Sequence, residues 1–304
     1  MDSGLKIYCM NGRKKTNAKN SYAPVSNVEL APLHKKLCQY IRMEEAAYNE
    51  TPLEPDTLMG HLERVAAYAV RLAVNEGVDP LRAELAALFH DAGKFHGGTY
   101  HEGNKPEEIR SIEVLKELAG ENGQSREVVE DVSDAILQLY NDDCGKTPLS
   151  MVLFDADNLD KMGLLGIANY FIKSGLRGQG LTAEMITKLT VELTYARYAG
   201  RRFYTKTGRS LAVKKSLDTI RFIHDFLDVL REDCIFDTRI EHVQVSDVVL
   251  ELVMLSSCHC GAPIHLQRIW TEEGVKCTQI HLEMGCRVCE NRYKIKFCRP
   301  MFVV

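Results

Sequence analysis

The sequence predicts a mainly α-helical protein with a small β-rich module at its C-terminus. Three observations carry this expectation. From Pro55 to about residue 232, apolar residues recur at helical spacing and no alternating strand pattern of any length intervenes. The chain has 10 cysteines, and Cys258, Cys260, Cys277, Cys286, Cys289 and Cys298 crowd its last stretch. Between those cysteines, CHCGAPIHLQRIW, TQIHLEMGCRVC and NRYKIKFC read as short strands separated by cysteine turns.

The bulk numbers narrow the function classes. With 304 residues the chain can bury a substantial core and hold more than one domain. It is 45% hydrophobic and 26% charged, which is ordinary for a soluble globular protein. A formal net charge of −4 gives no global pull toward nucleic acid or membrane. No apolar run approaches the ~18 residues of a spanning helix, and the start, MDSGLKIYCMNGRKK, lacks a signal-peptide core. Close-spaced cysteines without a secretion signal read as metal ligands rather than disulfides, which makes a reducing cytoplasm the expected compartment.

Taken in order, residues 1–27 read as a flexible basic arm carrying Lys6, Arg13, Lys14, Lys15 and Lys19. Residues 28–50 hold a packing helix, with Leu33, Leu37, Tyr40 and Ile41 on one face. The helical domain is expected over 51–232. Asp56 is a candidate cap for a helix containing His61, and Gly77 with Pro80 closes that helix. In the next helix, 81–94, Leu81, Leu85, Leu88 and Ala92 form an apolar stripe. The Gly-rich stretch GGTYHEGNKP reads as a loop. Helices follow over 107–118 and 126–140, the second capped by Ser125. Thr147 and Pro148 make an N-cap and N1 pair ahead of the helix holding Asp155, Asp157 and Asp160. Shorter helices run through Phe171, and two long ones, 183–204 and 211–231, complete the bundle. RIEHVQVSDVVLELVML has mixed periodicity and fits helix or strand. The cysteine-rich module is expected over 240–304.

The chemistry starts at His90 and Asp91. An adjacent histidine and carboxylate at the foot of a buried helix are costly unless something satisfies them, and a divalent metal satisfies both. Adjacent helical residues point about 100° apart, so the two can share one ion only at or just past the helix end. The Gly93 break suits that position. Asp155 and Asp157 face nearly opposite ways on a helix, whereas Asp157 and Asp160 share a face. Lys94, one turn past His90, either neutralises phosphate oxygens near a metal or meets the helix dipole. There is no G-x-S-x-G and no Walker GxxxxGK[ST].

The order of His61, then His90-Asp91 in ALFHDAGK, then an Asp in DADNLDKMG resembles the HD-domain superfamily of metal-dependent phosphohydrolases, over roughly residues 52–230. The resemblance implies an HD-type helical bundle that hydrolyses a phosphate ester, of a nucleotide or another phosphorylated small molecule, with metal-activated water. It implies His61, His90, Asp91 and Asp157 as ligands of Mn, Mg, Fe, Co, Ni or Zn, with Asp157 chosen because it stands in an Ala-Asp-x-Leu phrase. Asp155 is the second choice, buttressing a ligand histidine, and Asp160 reads as a solvated or capping carboxylate. Lys94, His101 and Glu102, with His96, are expected to face substrate. Two-metal members carry a further histidine near the end of the long helix before the last aspartate. Here that place reads Leu139-Tyr140-Asn141-Asp142, which points to one metal.

Cys258-x-Cys260 and Cys286-x-x-Cys289 resemble the two turns of a zinc ribbon, with structural zinc expected and an iron–sulfur cluster as the alternative. Cys277 and Cys298 are left over, and His259 and His281 are substitute ligands. The module is mildly basic, which permits nucleic-acid or protein contact. A second reading of the whole chain is a regulatory or nucleic-acid-associated metal-binding protein with little turnover. No membrane role is expected.

Overall fold

The computed structural model describes residues 28–48, 57–100, 105–141, 145–176, 178–274 and 277–299. The basic arm, Asp56, His101 and Glu102 lie outside the described residues. The fold is mainly α with a β-rich C-terminal module, as the patterning predicts. The helices are α1 (Ala31–Tyr48), α2 (Thr57–Glu76), α3 (Pro80–Phe89), α4 (Glu107–Glu121), α5 (Arg126–Gln138), α6 (Pro148–Asp160), α7 (Gly163–Leu176), α8 (Ala183–Arg202) and α9 (Lys206–Glu232). Among the described residues none is long and apolar enough to cross a membrane.

Local chemistry sets the boundaries. Asp79 caps α3 by accepting from the Leu81 N–H at 2.9 Å, and Pro80 opens the helix. Thr147 and Ser150 form a reciprocal capping box at the start of α6, the reason that helix starts at Pro148. The principal core joins α1 to α6, with Leu37, Ile41, Leu62, Leu85, Phe89, Leu115, Ile136 and Leu153 fully enclosed.

Three elements differ from expectation. The predicted helix 81–94 ends at Phe89, and His90 to Gly93 turn away from it. That turn needs a glycine, because a Cβ at Gly93 would lie 2.5 Å from the Arg110 Cβ and the Ser111 N of α4. The Gly-rich loop opens with a two-residue ladder between β1 (Phe95–His96) and β2 (Thr99–Tyr100). The ambiguous segment after α9 is a hairpin, β3 (Thr238–Val245) with β4 (Val248–Leu255), turning at Ser246 and Asp247.

That hairpin explains how the C-terminal module finds a core. β4 is a nearly continuous apolar run that packs on α8, with Leu250, Leu252, Val253 and Met254 fully buried. A three-stranded antiparallel sheet follows, β5 (Ile264–Glu273), β6 (Thr278–Cys286) and β7 (Arg292–Cys298). Its Ile280, Leu282, Met284 and Phe297 join the same cluster as Tyr198 of α8. The apparent poverty of apolar residues beyond residue 258 is thus offset by a shared wall.

Candidate metal centre and adjoining chamber

Three segments converge at the end of α3. α2 supplies His61, the turn after α3 supplies His90 and Asp91, and α6 supplies Asp157. His61 Nε2 lies 3.4 Å from Asp157 Oδ1 and 3.5 Å from Asp91 Oδ2. His90 Nε2 lies 3.6 Å from Asp91 Oδ2 and 3.7 Å from Asp157 Oδ1. Donors bound to one ion at about 2.1 Å stand roughly 3.0–3.4 Å apart at octahedral or tetrahedral angles, so this set needs only slight contraction around a cation. His61, His90 and Asp157 form one mutually close group, with Asp91 at its edge.

Two buried atoms argue directly for an ion. His90 Nε2 and Asp157 Oδ1 are enclosed and lack any hydrogen-bond partner. Unpaired buried polar atoms are costly, and a cation between them removes that cost. The second atom of each group is pinned. His90 Nδ1 donates to the Ala87 carbonyl at 2.8 Å, which leaves Nε2 as the lone-pair nitrogen. Asp157 Oδ2 accepts from Lys161 Nζ at 2.7 Å and from the Tyr140 hydroxyl.

Asp160 and Asp155 exchange the roles the sequence offers them. Asp160 is buried and accepts from His61 Nδ1 at 2.8 Å, while Arg64 holds it through Nε at 2.7 Å. It is thus the carboxylate that orients the His61 ring, rather than a solvated or capping one. Asp155 faces away from the cluster and accepts from the Tyr204 N–H at 2.9 Å, the Thr205 N–H at 2.8 Å and the Thr205 hydroxyl at 2.7 Å. It ties α6 to the α8–α9 junction, and a Cβ at Gly208 would meet its Oδ2 at 2.3 Å. The expectation that Asp155 supports the chemistry is therefore corrected. A turn apart on one face, Asp157 and Asp160 can serve the same histidine. Asp155 cannot.

The electrostatics follow from crowding. Burial alone would lower His61, but the Asp157, Asp160 and Asp91 carboxylates around it outweigh that and push its pKa up to about 10. Burial would raise Asp91 and Asp157, but the groups beside them hold both well below the usual carboxylate range, the His90 ring and the Lys94 ammonium for Asp91 and the Lys161 ammonium for Asp157. Lys94 Nζ bonds Asp91 Oδ2 and lies 3.9 Å from Glu107. Burial and then the Asp91 charge push the Glu107 carboxyl up to about 7. His96 sits on β1 with its side chain exposed.

Tyr140, Lys161 and Asp160 are the functional candidates that sequence reasoning missed. A signal existed for each. Tyr140 stands in the Leu139-Tyr140-Asn141-Asp142 stretch singled out in the sequence for its missing histidine, and its hydroxyl holds Asp157. Lys161 follows Asp157 by four residues, the spacing of a helical ion pair.

Replacing Asp160 with alanine is expected to weaken metal binding about 10- to 100-fold, the usual cost of losing a partner that orients a ligand histidine. Competition with a chromogenic chelator measures it, and an affinity within twofold of the parent contradicts the assignment.

A cavity of about 810 Å³, within the ~300–1,000 Å³ of small-molecule sites, adjoins the cluster and is lined on that side by His61, Tyr140, Asp160 and Lys161. One face of α8 lines it through Lys188, Glu192, Tyr195, Ala199 and Arg202, and Cys277, Cys298 and Arg299 close the far side. Tyr195 donates to the Cys298 carbonyl at 2.7 Å, which docks the end of β7 on α8.

Within this wall burial pushes the Glu192 carboxyl up to about 7, with Lys173 pulling the other way. Its folded pKa thus exceeds the 4.5 of the free side chain, so the folded state holds the proton more tightly. Stability from this group is fully present below about 4.5 and is lost as pH rises through about 7. Glu192→Gln is expected to flatten that decline, a difference of about 3 kcal/mol at most from about 2.5 pKa units. Urea melts at pH 5 and pH 8 measure it.

The cysteine module holds a second site. The sulfurs of Cys258, Cys260, Cys286 and Cys289 all lie within 4.8 Å of one another. Cys258 Sγ is 3.3 Å from Cys289 Sγ, and Cys260 Sγ is 3.5 Å from Cys286 Sγ. The Cys260 backbone N–H pulls the Cys258 thiol down to about 6, and backbone N–H groups of Cys289 and Val288 lower Cys286. Thiolates so close repel, and a cation among them relieves the repulsion, so four sulfurs fit a tetrahedral metal. His259 Nδ1 is 3.4 Å from Cys258 Sγ, while His281 is turned away, stacked on Trp270. Cys277 and Cys298, left over in the sequence, are joined as a disulfide, so the expectation of ligands alone fails for this pair.

Residues 58–162, about a third of the chain, match the family model described as HD domain. No curated protein matches the chain. Similar solved structures include a predicted HD-superfamily hydrolase from an uncultured Thermotogales bacterium, at 22% identity over 65% of this chain and 93% of that one, TM-score 0.45. Bacillus subtilis YpgQ in complex with ADP shares 23% identity over 67% and 96%, TM-score 0.48. An HD-superfamily hydrolase from Bacillus thuringiensis shares 18% over 66% and 98%, TM-score 0.47.

Proposed function

We propose that the chain hydrolyses a phosphate ester, of a nucleotide or a related phosphorylated small molecule, at a divalent metal held by His61, His90, Asp91 and Asp157. The observation that carries this reading is the enclosed, partnerless pair His90 Nε2 and Asp157 Oδ1, set among further ligand atoms. The metal, when bound, polarises the phosphoryl group and acidifies a water.

The chain's own residues supply the rest. Asp160 fixes the His61 ring, and Ala87 fixes that of His90. Tyr140 and Lys161 hold Asp157 so that one oxygen faces the cluster. Lys94 and Lys161 place positive charge beside the ligand carboxylates, which favours a phosphoryl group gaining negative charge. The adjoining cavity gives the leaving group a walled space.

The test is a screen of phosphomonoesters and phosphodiesters with Mn, Co, Ni, Mg, Fe or Zn after chelator treatment. Phosphate release restored by one or more of these metals is expected. Metal binding without turnover of any ester overturns the enzymatic reading and favours a regulatory role.

A further inference from the structure

We propose that Arg202 is a specificity-determining anion receptor, which binds a second anionic group of the substrate beside the scissile phosphate. This rests on the phosphohydrolase reading above and deepens it.

The argument is one of charge accounting along the cavity. Among its cationic side chains, His61 is bonded to Asp160 and Lys161 to Asp157. Lys173 lies in the field of Glu192, Lys188 is 2.8 Å from Glu184, and Arg299 is paired with Asp247. Arg202 alone has no carboxylate partner among the described residues. Its guanidinium reaches the Asn158 amide oxygen at a long 3.4 Å and stacks over the Tyr195 ring at 4.9 Å. A guanidinium carries five N–H donors in a planar fork suited to phosphate or carboxylate oxygens. Stacked on Tyr195, it is held in place with most of those donors unspent.

Position makes this a selective device. Arg202 reaches Asn158, the neighbour of Asp157 in sequence, and lines the same cavity as His61. Ten residues earlier on the same face of α8, about 15 Å away at 1.5 Å per residue, is Glu192. Its carboxylate, once ionised, repels anions there. The chamber therefore favours one orientation, with the anionic end of the ligand at the metal and Arg202 and a neutral or proton-donating end toward Glu192. The substrate class is an extended phosphate ester with at least two adjacent anionic groups. A compact monoester would leave Arg202 unsatisfied.

The experiment compares kcat/KM for nucleoside 5′-monophosphates and 5′-diphosphates in the metal-loaded parent, Arg202→Ala and Arg202→Lys. The parent is expected to prefer diphosphates. Arg202→Ala is expected to reduce the diphosphate-to-monophosphate ratio at least tenfold, mainly through KM, with Arg202→Lys in between. In parallel, calorimetry in the Asp157→Asn background, with the cysteine site left loaded, measures binding of the same nucleotides with and without Arg202→Ala, and the same loss of preference is expected. An unchanged ratio in Arg202→Ala overturns the proposal, and so does an equal loss for both classes, which would place Arg202 on the transferred phosphate itself. If no ester is turned over but the binding preference is present and depends on Arg202, the hydrolase reading fails and the anion receptor stands.

Discussion

Asp157→Asn is expected to lower phosphate release to below about 1% of the parent and to weaken metal binding by about 100-fold or more, beyond the 10- to 100-fold typical of losing a ligand's outer partner. The substitution keeps the volume and removes the charge. In the parent, Oδ1 faces the cluster with no other partner, and Oδ2 is held by Lys161 and Tyr140. An amide offers only one acceptor, and its NH2 is a donor where either the cation or two donors must be met. The fold is expected to survive, because α6 is capped by Thr147 and Ser150 and packed through Leu149, Val152, Leu153 and Leu159. Metal content, turnover and far-ultraviolet circular dichroism together decide it. Retained turnover in a folded variant removes Asp157 from the ligand set. Loss of fold instead of loss of metal would show that the Lys161–Asp157–Tyr140 contact is chiefly structural. In that event Asp160→Ala carries the test, since it leaves those three residues in place.

Three of the clustered residues, His90, Asp91 and Asp157, stood out in the sequence because each sits in a short phrase whose spacing constrains it, whereas His61 is a lone histidine on its helix. His90 and Asp91 had to lie at a helix end, and α3 does stop at Phe89. The Ala-Asp-x-Leu phrase pointed to Asp157, which the structure places with the two histidines. What supports the ligands was less legible. Asp155 and Asp160 look alike in a string, and only the distance to His61 separates an orienting carboxylate from one that ties α6 to Thr205. The chamber was hidden for a different reason. Lys188, Glu192, Tyr195, Ala199 and Arg202 recur at helical spacing but are mostly polar, the pattern of a solvated helix face. The wall opposite comes from residues around Cys277, Cys298 and Arg299, far away in sequence. The hairpin after α9 was ambiguous because β4 is buried on both faces and so loses the alternation that marks a strand.

Removing the metal from the cysteine site is expected to destabilise the whole chain, not the ribbon alone. Cys286→Ser replaces a buried thiolate with a hydroxyl, and structural zinc in small domains contributes on the order of 10 kcal/mol of folding free energy. Most of that would be lost locally, because Cys258–Cys260 and Cys286–Cys289 are what join β5 to the turn before β7. The damage then travels along contacts already described. Ile280, Leu282, Met284 and Phe297 share a core with Tyr198, and Tyr195 is bonded to the Cys298 carbonyl. Exposing that core strips α8 of its cover, so the melting temperature is expected to fall by on the order of 10 °C, from a few kcal/mol at about 2–4 °C each. A strong chelator should reproduce the shift in the parent and add little in Cys286→Ser, apart from the part owed to the HD-site metal, which Asp157→Asn isolates. Metal analysis is expected to find one zinc per chain lost in the serine variant, with a colourless protein. Brown absorbance would assign an iron–sulfur cluster instead. A parent whose melt does not move as its zinc is withdrawn would mean that the shared apolar wall on α8 holds the module by itself. Because α8 also carries Arg202, the same variant should lose discrimination between nucleoside mono- and diphosphates before it loses hydrolysis.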